Sequence, residues 1–318
     1  MDKIKLGNTD YRISNMGLGT MYFGSKVDEK VSFSLLDFYV EHGGTFLDSA
    51  NKYASWIPGY DGGESEAIIG KWMQMRQNRH DLFLSSKVGF AYGDVPRSLK
   101  KEIIVSECEK SLKRLKTDCI DLYFAHADDM ETPLEDVMST FQTLKQQGKI
   151  RFAGASNFNS WRLAEANSKA KQQGWEGFCC LQQRHTLLEP SLRANFGTQQ
   201  VLTPEMEQYC GINNVTMMAY SPLLGGAYLN GFQQLPIHYQ NKSSESKLLV
   251  LNQIANYQNV SVNAILLAWM IQSKPGIIPM VTGSTVLQLS ENFKALGITL
   301  SVEQMEMLNK DVAVPNKY

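Results

Sequence analysis

Charge imbalance is the first thing missing. Lysine and arginine number 31 against 32 aspartate and glutamate, a formal net charge of −1. That balance gives no electrostatic case for nucleic acid or for an anionic membrane. No run of about 18 apolar residues occurs, so no bilayer-spanning helix is expected. The opening Met1-Asp2-Lys3-Ile4-Lys5 lacks the apolar run of a secretory leader, and a cytoplasmic location is expected. The 5 cysteines, Cys108, Cys119, Cys179, Cys180 and Cys210, are odd in number and form no CxxC. They suit neither a disulfide framework nor a metal site, so no metal is expected and the thiols should be reduced. A dinucleotide fingerprint is missing as well. Gly17-Leu18-Gly19 is only a fragment of GxGxxG, and a Rossmann site is not indicated.

What is there is an alternation. The 318 residues carry no linker or low-complexity segment, and residues 1–318 read as a single domain. Ile4-Lys5-Leu6 and Tyr11-Arg12-Ile13 flank the turn-rich Gly7-Asn8-Thr9-Asp10, which predicts an opening β-hairpin. Strands are then expected at residues 15–20, 45–48, 82–86, 119–125, 150–154, 178–182, 215–220 and 277–281. Helical patterns lie between them. Asp28 can cap a helix running to His42, with Gly43 as its left-handed stop. Thr132-Pro133-Leu134-Glu135 reads as a capping box with proline at the first helical position, and Thr203-Pro204 repeats the start signal. Ile104, Cys108, Leu112 and Leu115 fall on one helical face, and Ser301 opens a final helix.

Eight strand–helix units point to an α/β fold, a parallel eight-stranded (β/α)8 TIM barrel. An open sheet with one unit miscounted is the alternative. Two connections, residues 50–63 and 222–247, look like long structureless loops leaving strand C-termini, where barrel enzymes place their sites.

Three successive predicted strands end in reactive groups: Asp48, Lys87 and His126. Tyr53 follows Asp48 on the loop. Each alone has a mundane reading, as turn residue, solvated cation, structural imidazole or packing ring. Together on one rim they form a proton-transfer set. A phenol ordinarily titrates near 10, and an adjacent ammonium favours its anion. Lys87 could supply the ammonium, Asp48 could orient it, and His126 could hydrogen-bond a carbonyl oxygen beside Tyr53.

The ordered set resembles the aldo-keto reductase superfamily over nearly the whole chain. The matching stretches are Leu47-Asp48-Ser49-Ala50-Asn51-Lys52-Tyr53, Gly63-Glu64-Ser65-Glu66, Ile69-Gly70, Ser85-Ser86-Lys87-Val88 and Asp121-Leu122-Tyr123-Phe124-Ala125-His126. The resemblance implies a catalytic tetrad of Asp48, Tyr53, Lys87 and His126, reversibly reducing an aldehyde or ketone to an alcohol. It also implies a nicotinamide dinucleotide laid over the barrel mouth. Ser156, Asn157 and Gln182 would meet the carboxamide. Tyr220 would stack on the ring, and Ser221 and Leu223 would lie near the pyrophosphate. Gly283, Ser284, Gln288, Glu291 and Asn292 would take the adenosine end, with Thr20 and Asp48 also at the cofactor. Hydroxyls and a glycine before a helix N-terminus suit phosphate on physical grounds.

The chain departs from the family pattern in two places. Gln288 stands where many relatives carry an arginine for the 2′-phosphate, so NADP is the expected cofactor by family and NAD the alternative. Arg184 and His185 stand after Gln182 where relatives often have an acid and a tyrosine. Tyr22, Trp56 and Tyr92, with Phe90 and Phe158, are candidate substrate contacts near rim loops. Trp56 suggests a sugar-type substrate by stacking. Oligomeric state is not legible. Two rivals stand beside a reductase: an NADP-binding regulatory module like the potassium-channel β subunits, and a barrel aldolase with Lys87 as Schiff base.

Overall fold

A computed structural model of the chain describes residues 1–310. Ten strands occur among them: β1 Lys3–Lys5, β2 Arg12–Ser14, β3 Gly17–Gly19, β4 Phe46–Asp48, β5 Phe83–Val88, β6 Ile120–Ala125, β7 Ile150–Ser156, β8 Cys180–Arg184, β9 Thr216–Tyr220 and β10 Ile277–Val281. The α-helices are α1 Glu29–Glu41, α2 Glu64–Arg76, α3 Lys101–Leu115, α4 Leu134–Gln146, α5 Ser160–Gln172, α6 Pro204–Asn213, α7 Lys242–Gln258, α8 Val262–Gln272, α9 Val286–Phe293 and α10 Val302–Asn309. β1 and β2 pair antiparallel as the expected hairpin. β3 to β10 close into a barrel of eight parallel strands, with β10 paired to β3.

Side chains alternate across each strand, and this sorts the core into two parts. Phe46, Phe83, Leu122, Phe124, Cys180, Met218, Ile278 and Met280 fill the barrel interior, and Leu6 and Ile13 of the hairpin pack against them. Leu47, Leu84, Tyr123, Leu181 and Met217 face outward into the layer under the helices. Gly154 belongs to the inner set. A β-carbon there would stand 2.7 Å from both Phe124 and the Cys180 sulfur. Only glycine leaves those two groups their space.

Local signals explain most helix ends. Asp28 accepts from the Val31 amide, Thr203 from Met206 ahead of Pro204, and Ser301 forms a full capping box with Gln304. The box expected at Thr132 does not form. Asp129 takes the Thr132 hydroxyl at 2.6 Å, and α4 begins one residue later than expected, so Pro133 precedes it. The connection after β9 is also not structureless. Its residues 224–239 fold into short 3-10 turns that bury Leu224, Tyr228, Leu235 and Tyr239, and α7 takes up its end. No helix among the described residues is long and apolar enough to cross a membrane.

Candidate active site

Barrel shear sets the site's geometry. Asp48 pairs with Ser85, and Lys87 lies two residues beyond on the same face. Lys87 pairs with Phe124, and His126 again lies two residues beyond. Phe124 pairs with Gly154 two before Ser156, Ser156 with Gln182, and Gln182 with Met218 two before Tyr220. Period-2 alternation therefore aims Asp48, Lys87, His126, Ser156, Gln182 and Tyr220 into one mouth at the strands' C-terminal ends. β5 runs on to Val88, so Lys87 lies within the strand rather than after it.

Lys87 is fully buried and spends all three ammonium protons. Its Nζ donates to Asp48 Oδ2 at 2.8 Å, to the Ser49 carbonyl at 2.7 Å and to Tyr53 Oη at 2.8 Å. Because the phenol oxygen accepts from Lys87, its own proton points elsewhere. Its one described acceptor is Asp48 Oδ2, at a long 3.4 Å. Asp48 also accepts from Ser85 at 2.7 Å and from Gln182 Nε2 at 3.2 Å. Burial pulls Lys87 below the usual lysine range while Asp48 pulls it back. Tyr53 is held well above the usual tyrosine range by burial and by the Asp48 carboxylate. The expectation that Lys87 would lower it is reversed: burial and Asp48 outweigh the ammonium, which keeps the phenol protonated. His126 is held well below the usual histidine range by burial, Lys87 and Lys52, which keeps the imidazole neutral. Its Nδ1 is buried with no partner among the described residues.

Support for the mouth comes from behind. Thr20 is fully buried, its hydroxyl bonded to the Asp48 carbonyl at 2.8 Å and to Ser65. It braces Asp48 from behind. On the outer side of β5, Ser86 donates to Glu66, which is paired with Arg114 at 2.6 Å.

The candidate cofactor side lies across the barrel. Asn157 has φ 58, a left-handed conformation that asparagine tolerates. Its amide nitrogen donates to the His126 carbonyl at 2.8 Å and to Ser156 at 3.2 Å. Its oxygen accepts from Tyr220 Oη at 2.7 Å and from the Gln200 amide at 3.1 Å. Ser221, Leu224, Gly225 and Gly226 all have positive φ, and a β-carbon on either glycine would meet nothing within 4 Å. That turn therefore presents backbone to open space, as a phosphate cradle must. At the far end Thr285 caps α9, Ser284 is exposed and bonded through its amide to Gln288 at 2.8 Å, and Asn292 reaches the Thr282 carbonyl. Glu291 pairs with Lys294. The donor set and the open turn fit a dinucleotide.

Of the candidate substrate aromatics, Trp56 meets Tyr53 edge-on with ring centroids 6.4 Å apart and remains 48% exposed. Phe90 meets His126 edge-on at 4.7 Å. Tyr22 is half-buried beneath Lys26. Tyr92 is half-buried and anchored at its hydroxyl. Its hydroxyl donates to Glu107 of α3, which also holds Asn51 at 2.7 Å, so it braces two loops. Phe158 is a correction: it is fully buried against Phe178, a core residue.

A third long connection, residues 185–203, went unanticipated. Arg184 roots it: Nη1 donates to Gln199 at 2.9 Å, Nε donates to Tyr239 at 3.1 Å, and the guanidinium lies 4.7 Å over Phe196. Ser191 and Asn241 add bonds to the His238 and Glu189 carbonyls. The loops after β8 and β9 thus form one cover. Its signal was present as 20 residues between Gln182 and Thr203 without apolar period. A cleft of about 590 Å³ opens at the opposite end, beside Arg79 and Arg151. Both arginines there face Asp121 and the reactive groups are absent, so the chemistry belongs to the other mouth.

Comparison with known proteins agrees with this mouth. Residues 15–312 match the model of the aldo/keto reductase family. The chain belongs to that family. Among aldo/keto reductases and their kin, it is 32% identical over 325 residues to an uncharacterized oxidoreductase, YrpG, of Bacillus subtilis (strain 168), covering 97% of this chain and 95% of that one. It is 27% identical over 336 residues to aryl-alcohol dehydrogenase GME11368 of Pestalotiopsis microspora, covering 96% and 82%. The thermostable aldo-keto reductase Tm1743, solved with the inhibitor epalrestat, superposes with a TM-score of 0.76 at 31% identity, covering 97% of this chain and 98% of that one. As an aldo/keto reductase the chain is an oxidoreductase of small-molecule carbonyls.

Proposed function

We propose that the chain reversibly reduces a small aldehyde or ketone to an alcohol with NADP(H), Tyr53 being the proton donor and acceptor. The observation that carries the reading is the direction of the bonds at Lys87: its ammonium donates to the Tyr53 oxygen at 2.8 Å, so the phenol keeps its own proton to give, held only by a long 3.4 Å contact to Asp48. A bound nicotinamide would supply the hydride. Tyr53 delivers its proton to the carbonyl oxygen, and Lys87 then stabilises the phenolate left behind. Asp48 keeps Lys87 charged and aimed. His126, neutral, donates one hydrogen bond that fixes the oxygen beside Tyr53. Ser156, Asn157, Gln182 and Tyr220 hold the nicotinamide end. Ser221 and Leu223 border the pyrophosphate, and Gly283, Ser284, Gln288, Glu291 and Asn292 take the adenosine end. In the reverse direction the same phenol receives the alcohol proton. Trp56 offers a ring face to a sugar or an aromatic substrate.

The test is dinucleotide oxidation with a panel of small aldehydes, for the wild type and Tyr53→Phe. The substitution should lower kcat about 10²- to 10⁴-fold while leaving dinucleotide binding intact. An undiminished rate in Tyr53→Phe would overturn the mechanism. Parallel titrations with NADPH and NADH decide the cofactor.

A further inference from the structure

One cation at the mouth has no counter-charge among the described residues. Lys52, beside Tyr53 in sequence, is half-buried on the loop after β4. Its Nζ lies 4.3 Å from the Phe90 ring centroid and 5.8 Å from that of Trp56. Those two rings are the ones that meet His126 and Tyr53 edge-on. Among the described residues no carboxylate pairs with Lys52, and its ammonium makes no hydrogen bond to protein. Lys87, the other lysine of this mouth, has Asp48 at 2.8 Å. Cation–π contact is worth roughly 0.5–2 kcal/mol and does not replace a counter-ion. Accordingly, burial lowers the Lys52 pKa with no carboxylate opposing it. The ammonium stands on the β4–β6 side, away from the β7–β9 residues that form the candidate nicotinamide bed. What it faces is the substrate side.

We propose that Lys52 is a substrate-recognition residue, and that the preferred carbonyl substrates carry a carboxylate a few atoms from the reacting carbon. This rests on the carbonyl-reductase reading above and narrows it. The Trp56 and Phe90 rings flank the connecting chain of the substrate, and the carboxylate completes the ion pair that the protein leaves open. In this partly dry mouth the pair is stronger than on an open surface. Lys52 and its sequence neighbour Tyr53 then hold the two ends of one small oxo acid, the carboxylate and the carbonyl oxygen.

The experiment compares 4-carboxybenzaldehyde with methyl 4-formylbenzoate, matched in shape and differing in charge. The ratio of kcat/KM, acid over ester, is measured for wild type, Lys52→Met and Lys52→Arg. The wild type should favour the acid. Lys52→Met, which keeps the aliphatic stem, should lower the ratio about ten- to a hundredfold, chiefly through KM, and Lys52→Arg should recover much of it. No preference in the wild type, or a ratio unmoved by Lys52→Met, overturns the proposal. In the latter case Lys52 acts only through the charge it places near His126, and a shifted pH profile common to both substrates would report that. If neither aldehyde is turned over with either dinucleotide, the reductase reading fails separately. Calorimetric binding of terephthalate then decides Lys52 alone: binding that Lys52→Met weakens supports the proposal, and equal binding overturns it.

Discussion

Asp48 Oδ2 and Lys87 Nζ lie 2.8 Å apart, and both side chains are at most 3% exposed. Their charges are therefore mutually obligatory. Asp48→Asn leaves the ammonium without its anion and should destabilise the fold by roughly 3–5 kcal/mol in urea titrations near neutrality. The sign of its pH dependence follows. Lys87 is already pulled below its usual range, and removing Asp48 lowers it further. Where the folded state has lost that proton and the unfolded lysine keeps it, stability rises with pH, up to about 10.4. The deficit of Asp48→Asn should thus shrink toward high pH. A deficit that grows instead would contradict a charged Lys87.

Acid should weaken the protein through its histidines. His185 stacks on Trp269 with centroids 5.7 Å apart, and burial lowers its pKa to about 4. His126 is lowered too. A group depressed this way is neutral in the fold and protonates first in the unfolded chain. Its contribution is complete above about 6.5 and is lost as pH falls, at up to about 1.4 kcal/mol per unit. His185→Phe keeps the stack and removes the titration. Its stability curve between pH 6.5 and 4 should be visibly flatter than the wild type's, read from urea midpoints.

Arg184 ties the connections after β8 and β9 to the strand end. Arg184→Met removes the bonds to Tyr239 and Gln199 and should cost about 1–3 kcal/mol. Hydrogen exchange should speed up in residues 195–200 and 232–240 together, with β4 to β6 unchanged. Acceleration in one segment alone would mean that the cover is not a unit.

Gly70 sits where α2 crosses α3. A β-carbon there would lie 2.3 Å from the Arg114 carbonyl oxygen, an obstacle made of backbone. Gly70→Ala should cost about 1–3 kcal/mol, although alanine is the better helix former. Gly297→Ala, with nothing within 4 Å of the added carbon, is the matched control and should stay within about 0.5 kcal/mol of the wild type.

Much of this was legible in the sequence because period-2 alternation and barrel shear are regular. Asp48 and His126 each sit two residues past an inward apolar side chain, Phe46 and Phe124, and Lys87 sits two past the inward Ser85 and four past Phe83. What was not legible depends on partners far along the chain. Tyr92 finds Glu107 a helix away, Phe158 finds Phe178, and Thr20 finds Ser65. Thr132 lost its capping role to Asp129, a competitor that the capping pattern does not contain. The protonation of Tyr53 was misjudged for a related reason. Adjacency to Lys87 is local, whereas burial and the Asp48 carboxylate are set by the assembled mouth.

The seam between β3 and β10 joins Gly17 and Leu18 to Met280 and Val281. During synthesis, the strands bearing Asp48, Lys87 and His126 are made early and can pair with one another. The ring cannot shut until residue 281 has left the ribosome. Contacts of such sequence separation form slowly, and an unshut sheet leaves two bare strand edges in the meantime. The nascent chain is thus most exposed to aggregation when its proton-transfer strands are already in place, and shielding should matter most in the interval before β10 arrives.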